Sequence, residues 1–170
     1  MKSFLLFLCA VSCIVGCTNP PEQKARALVD DFYNQYQPGD YRLADTSRLS
    51  APLNALLKKA ALLQQEDASR LKALHSTDKP VMIEGDIFTS LYEGTNQHAI
   101  LQTIKQDNQT LVLVSFSNTH YGIHNWVDTA VLVKEPAGWK IDNVLYDAKQ
   151  GSSRSLQQTI LNFLSLSSSN

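Results

Sequence analysis

Cysteine is nearly absent from this chain, and its few copies are all in one place. The three cysteines are Cys9, Cys13 and Cys17, and none follows Cys17 in the 170 residues. A domain built from what comes after them has no disulfide, no thiolate nucleophile and no thiolate metal site, so its stability must come from a hydrophobic core. Charge of one sign is also lacking. Lys and Arg number 15 against 16 Asp and Glu, and setting Lys2 aside leaves 14 basic residues. No basic stripe stands out, which argues against nucleic acid as a partner. Beyond the first residues no apolar run approaches the roughly 20 residues that a membrane-spanning helix needs. No repeat recurs at solenoid or propeller spacing.

What is present begins at the amino terminus. Lys2 precedes the run Phe4-Leu5-Leu6-Phe7-Leu8-Cys9-Ala10-Val11, which ends near Val15. One basic residue before a short apolar stretch is the layout of a secretory signal. The stretch closes in Ile14-Val15-Gly16-Cys17. That ending resembles the lipobox of bacterial lipoproteins, and Cys17 falls where the apolar run stops; a chance cysteine in a plain signal is the alternative. The resemblance implies cleavage before Cys17, a diacylglyceryl thioether on its sulfur and an acylated new amino terminus. Several acyl chains together make a lasting anchor, since one myristoyl chain alone binds only marginally. Thr18, not Asp, follows Cys17, which by the same resemblance implies the outer membrane, on its periplasmic side.

The expected organisation is a signal peptide over 1–16, a lipidated cysteine and short tether over 17–21, one α+β domain over 22–166 and a frayed tail over 167–170. Ala25, Leu28, Val29, Phe32, Tyr33 and Tyr36 recur at helical spacing, which predicts a helix from Pro20 to about Gln37 with Asn19 as its cap. Pro38-Gly39-Asp40 stops it. A second helix is predicted after Ser50, its stripe made of Leu53, Leu56, Leu57, Ala60, Ala61 and Leu63, either continuing through Leu71 and Leu74 or restarting near Glu66.

After Pro80 the pattern changes. Short strands are expected at Val81–Ile83 and Gln97–Gln106, the latter ending in the turn Asp107-Asn108-Gln109. The β-branched and aromatic run Thr110–Phe116 reads as a central strand. Asn118–His124 is expected as a polar loop. Trp126–Lys134 and Trp139–Val144 are expected as a hairpin about Pro136-Ala137-Gly138, with Trp139 and Ile141 in its core. Ser152–Leu164 reads as a terminal helix with Leu156, Ile160, Leu161 and Leu164 on one side. Helices followed by consecutive antiparallel strands argue for α+β over parallel α/β.

Several stretches of the chain, taken together, resemble the YbjP-like envelope lipoproteins of the nuclear-transport-factor-like superfamily. These are Leu49-Ser50 with Leu53 and Leu56-Leu57; Gly85-Asp86-Ile87-Phe88-Thr89-Ser90 with Glu93-Gly94; Trp126-Val127-Asp128; and Trp139-Lys140-Ile141-Asp142-Asn143-Val144-Leu145-Tyr146. The resemblance implies a cone in which N-terminal helices pack on a curved antiparallel sheet, with a short C-terminal helix and a pocket between helices and sheet. Asn143 stands where that family carries a second Asp. No catalytic residue is carried over.

The candidate pocket or interface residues are Phe32, Tyr36, Asp86, Phe88, Tyr92, Trp126, Asp128, Asp142 and Tyr146. A carboxylate in an apolar pocket gains a raised pKa and can act as a general base near neutral pH, which selects Asp86, Asp128 and Asp142 beside their aromatic neighbours. Trp126 and Asp128, two apart, share a sheet face. The structural alternative reads Asp86 after Gly85 as a turn carboxylate bonding nearby backbone N–H groups, and Asp142 as the partner of a cross-strand Lys or a loop amide. The aromatics are most simply core and rim. His120 and His124 flank Tyr121-Gly122-Ile123 and read as a loop without metal-site character; His75 and His98 read as surface residues. No metal and no cofactor are expected, and no oligomeric state can be assigned. The function expected is non-enzymatic, a lipid-anchored protein binding another envelope protein. An immunity or inhibitor protein against a secreted toxin or hydrolase, and a pocket enzyme or small-ligand carrier, are the alternatives. Fold alone does not separate the three.

Overall fold

A computed structural model describes residues 20–120, 124–149 and 153–166. The expected signal, Cys17 and Asn19, and the expected tail over 167–170, lie outside these residues. Among the described residues the fold is α+β, with three α-helices and one four-stranded antiparallel sheet.

Helix α1 spans Pro21–Gln35. Pro20 stands at the cap position with no side-chain cap bond, the expected cap Asn19 lies outside the described residues, and helix begins at Pro21. Proline suits this end because its missing N–H is one that a first helical turn leaves unpaired anyway. The helix ends two residues before the predicted Gln37. Pro38 disfavours helical backbone at the residue before it, and Tyr36 is already extended, its N–H closing on Phe32 O at 2.9 Å. Ala25, Val29, Phe32 and Tyr33 are the buried face.

Two short 3-10 helices follow, at Tyr41–Leu43 and Thr46–Arg48. Helix α2 then runs unbroken over Ala51–Ala73. Ser50 caps it, accepting from Leu53 N at 3.1 Å, and Pro52 sits in its first turn as predicted. Its buried stripe is Leu53, Leu57, Ala60, Gln64 and Leu71, so one helix continues through Glu66 with no restart. The strand expected at Val81–Ile83 does not form. Val81 N donates to the Asp67 carboxylate on α2 at 2.9 Å, and Ile83 drops into the core. The segment is tied to a helix instead of a sheet ladder.

Strands β1 (Gln97–Gln106), β2 (Gln109–Asn118), β3 (His124–Glu135) and β4 (Gly138–Leu145) form a meander in the order β1-β2-β3-β4. β2 is a central strand, as its composition predicted. His124 opens β3 opposite Asn118, so the polar connection is shorter than Asn118–His124; residues 121–123 lie outside the described ones. Register is pinned by period-two burial. Thr110, Val112, Val114, Phe116 and Asn118 of β2 face inward, opposite Leu132, Ala130, Asp128, Trp126 and His124 of β3. One irregularity interrupts β1 at Ile100/Gln102, and another interrupts β3–β4 at Val131/Leu132. Outside β4, Leu49 bridges Ile141, and Ser50 N donates to Ile141 O at 2.8 Å.

Helix α3 covers Leu156–Leu166, starting later than the predicted Ser152. Leu156 and Ile160 are fully buried, but Leu161 is exposed, contrary to its expected place on the buried side. Trp139 is only partly buried against the core, while Ile141 is fully enclosed. Inward residues of β2, β3 and β4 join the helices in one core that contains none of their outward residues.

Candidate functional site

Between α2 and β1 lies an irregular segment, Gly85 to Gly94, with the sequence GDIFTSLYEG. Asp86 N donates to Tyr92 O at 2.8 Å and closes it into a loop. Gly85 and Gly94 bracket the loop with φ of +74° and +71°. A Cβ on Gly94 would stand 2.3 Å from Pro38 Cβ, and one on Gly85 would stand 2.5 Å from the Tyr92 ring. Both positions therefore require glycine for backbone and for space.

The loop's polar groups are held by side chains from several elements. Tyr33 of α1 donates to Phe88 O at 2.8 Å. Tyr146, just after β4, donates to Ile87 O at 2.5 Å. Asp128 of β3 accepts from Ser90 N at 2.8 Å and from Ser90 Oγ at 2.7 Å. The same carboxylate accepts from the Trp126 indole at 3.0 Å and from Asp147 N at 2.8 Å. Asp86 folds back on its own loop, taking Phe88 N at 3.0 Å and the Thr89 hydroxyl at 2.7 Å, and it also accepts from the Tyr36 hydroxyl. At the loop's end, Asn118 of β2 donates to Gly94 O at 2.8 Å.

Both carboxylates are buried, Asp86 to 8% exposure and Asp128 to 1%. Burial raises each pKa above the ordinary aspartate value, and the surrounding donors offset part of that rise. Burial likewise raises Tyr33, Tyr36 and Tyr146, with the neighbouring carboxylates adding to it, so all three keep the protons they donate.

An ionised carboxylate offers about four acceptor sites. Asp128 receives four donors, so it has no lone pair left for a substrate proton. Asp86 receives three side-chain and backbone donors in a packed setting. A general base must reach the proton it abstracts, and neither group is open in this way. The arrangement clamps a loop between α1, β3 and the end of β4.

Eight of the nine sequence-selected residues fall in or beside this clamp. Phe32, Phe88 and Trp126 are core residues. Ring centroids of Phe32 and Phe88 are 5.1 Å apart, as are those of Tyr36 and Phe88, and such tilted and edge contacts are favourable. Tyr36 and Tyr146 are partly buried donors. Tyr92 is exposed, with its ring over Gly85. The shared face of Trp126 and Asp128 is realised as a direct hydrogen bond. Asp142 lies apart. Among the described residues it pairs with neither a cross-strand Lys nor a loop amide; it accepts from the α2 cap Ser50 Oγ at 2.5 Å and from Gln157 Nε2 at 3.2 Å. Asn143 Oδ1 accepts from Gln157 N at 3.1 Å, in the first turn of α3.

Tyr33, Thr89, Ser90 and Asn118 also belong to the clamp, although none is among the sequence-selected pocket residues. Asp86-x-x-Thr89, directly after a glycine, is a local signal for Thr89; the other three bond across 24 to 55 residues. His98 is not a surface residue: its Nε2 lies 3.1 Å from Asp30 Oδ1 and its side chain is 11% exposed. His75 is exposed after α2. Among the described residues no cluster of His, Cys, Asp or Glu is placed to hold a metal ion, and no helix is long and apolar enough to cross a membrane.

No family model matches the chain, and neither the curated proteins nor the solved structures contain a match.

Proposed function

We propose that this protein is a YbjP-like, lipid-anchored lipoprotein on the periplasmic side of the outer membrane, which binds another envelope protein and performs no catalysis. The observation that carries the non-enzymatic part is the saturation of Asp128. The carboxylate best placed for pocket chemistry spends every acceptor site on the fold. The anchor rests on Ile14-Val15-Gly16-Cys17 at the end of the apolar run. The cone shape expected from the family belongs to the same proposal.

The outward face of the sheet is the surface we assign to the partner. On β2 the outward residues are Gln109, Leu111, Leu113, Ser115 and Ser117; on β3 they are Asn125, Val127, Thr129, Val131 and Val133. None carries a charge. Leu111, half-buried, stands directly opposite Val131, which is itself buried, and Leu145 of β4 lies opposite Thr129, so the accessible part of the patch centres on Val127 and Leu145. Val127 and Leu145 are exposed at 39% and 43%. Depletion of charge at the centre of a patch is the compositional mark of a protein interface, and its partner is an envelope protein with an uncharged, partly apolar surface.

The anchor constrains where that partner sits. Helix α1 begins at Pro21, so Thr18, Asn19 and Pro20 alone separate it from Cys17. At about 3.3–3.6 Å per extended residue the tether reaches on the order of 10 Å. The start of α1 is then held near the leaflet, and partners in the same membrane meet the domain at a raised local concentration. Cys17→Ser with cell fractionation tests the anchor: the variant leaves the membrane fraction if the lipid holds the protein, and quantitative retention with unchanged processing overturns it.

A further inference from the structure

A second concavity lies away from the loop clamp and the outward sheet face. It opens between the two 3-10 helices and the first half of α2, with a volume of about 590 Å³. Small-molecule sites run from about 300 to 1,000 Å³, so its size suits one small ligand.

The cavity exists because the sequence is small where α2 faces the 3-10 helices. Ala51, Ala55 and Ala61 line it, where larger side chains would close it. Tyr41 and Leu57, both buried, supply more apolar wall. The Tyr41 ring is fixed by its hydroxyl, which donates to Gln64 Oε1 at 2.9 Å. Asn54, also lining, donates to Thr46 O at 2.9 Å and to Leu49 O at 3.2 Å, which fastens the second 3-10 helix to α2. The site is thus pre-formed and not a gap between loose segments.

Its ionised lining residues are Arg42 and Lys58, and no carboxylate lines it. Arg42 is held by Asp40 at 2.7 and 2.8 Å through Nη2 and Nε. A guanidinium has five N–H donors, so this pairing orients the group and leaves donors over. Lys58 has no ion pair among the described residues. Near Ala51, the Glu135 carboxylate takes the Ala51 N–H at 2.8 Å. Arg42 is paired with Asp40 and the Glu135 carboxylate is engaged by the Ala51 N–H at the start of α2, so Lys58 is the lining cation without a carboxylate partner among the described residues, over an apolar floor.

We propose that this cavity binds a small amphipathic carboxylate. Its apolar body lies against Tyr41, Leu57 and the alanines, and its carboxylate lies between Lys58 and the spare donors of Arg42. Apolar burial supplies most of the affinity and the cations supply the choice of head group. The site is independent of the envelope-partner surface and of the loop clamp.

The test uses the full lipidated chain in nanodiscs with phenylbutyrate as probe and phenylbutyramide as its neutral twin, followed by amide chemical shifts. Saturable shifts at Tyr41, Thr46 and Lys58 with phenylbutyrate, and weaker binding of the amide, are expected. Lys58→Gln, at an exposed position, should weaken phenylbutyrate about threefold to tenfold and leave the amide unchanged. Ala55→Trp, also exposed in the free protein, should fill the cavity and abolish both, with an unchanged melting temperature showing that the fold is kept. No saturable shift at these residues, or survival of binding in a folded Ala55→Trp, overturns the site. Equal affinity for the two probes overturns the carboxylate assignment.

Discussion

Replacing Asp128 separates a carboxylate kept for the fold from one kept for chemistry. In Asp128→Ala the four donors on its oxygens lose their acceptor. The Trp126 indole is buried and finds no water, which costs about 1–3 kcal/mol. The Ser90 and Asp147 donors lie nearer the surface and can be rehydrated, so each loses at most the net worth of a hydrogen bond, about 1 kcal/mol. Against this stands the relief of removing a carboxylate that burial disfavours. The balance is a loss of about 3 kcal/mol, or roughly 6–12 °C in melting temperature at this size. Asp128→Asn keeps the shape but sets an NH2 against two of the donors, so it should lose about 1–2 kcal/mol. Melting followed by circular dichroism and tryptophan fluorescence reads both. A variant Asp128→Asn that melts at or above the native temperature would show that the carboxylate is not kept for the fold, because residues retained for activity at the expense of stability are the ones whose neutral isosteres stabilise.

The same burial makes a pH prediction. Asp86 and Asp128 have folded pKa values raised above 3.8; between that value and the raised ones the native state holds protons that the unfolded state has released. Their contribution therefore falls as pH rises through this window and is recovered on acidification. A double Asn variant should flatten that part of the stability profile, and an unchanged slope would contradict it. Ser50→Ala removes both the α2 cap and the donor to Asp142 and should cost about 1–2 kcal/mol in urea unfolding. Gly94→Ala should destabilise by at least about 1 kcal/mol, since its φ and the Pro38 contact both oppose a Cβ; a neutral result would show that the loop moves. Trp139→Ala should cost about 2 kcal/mol, below the value for a fully buried tryptophan.

Much of the architecture was legible because the helices rest on periodicity and the strands on β-branched and aromatic composition between turns. Strand β1 was expected at Gln97–Gln106, and β2 follows from the β-branched and aromatic run Thr110–Phe116. Helix α2 follows from Ser50, Pro52 and its leucines. Val81–Ile83 misled because three apolar residues satisfy a strand pattern without a partner strand; the deciding bond runs to Asp67, 14 residues earlier. Helix ends moved for local reasons such as Pro38. The clamp was half legible. Asp86 announced its turn through Gly85, and Trp126 and Asp128 their shared face through spacing. Tyr33 and Ser90 could not be found this way, since their bonds span 55 and 38 residues. Asp142 was misjudged because the residues that reach it, Ser50 and Gln157, come from helices packed beside β4 and not from a paired strand. The alanine-lined cavity gave no sequence signal, because small residues on a helix also read as ordinary helix formers.

Photo-crosslinking in intact cells asks whether a membrane-anchored protein holds an envelope partner on its outward sheet face. A photoreactive side chain is placed at Val127 in the full lipidated chain, and a control is placed at Lys72, exposed on α2. A light-dependent adduct to an envelope protein is expected from Val127, none from Lys72, and a lower yield when about fifteen flexible residues are inserted after Asn19 to lengthen the tether. No adduct from Val127, or an equal adduct from Lys72, would contradict a partner on that face.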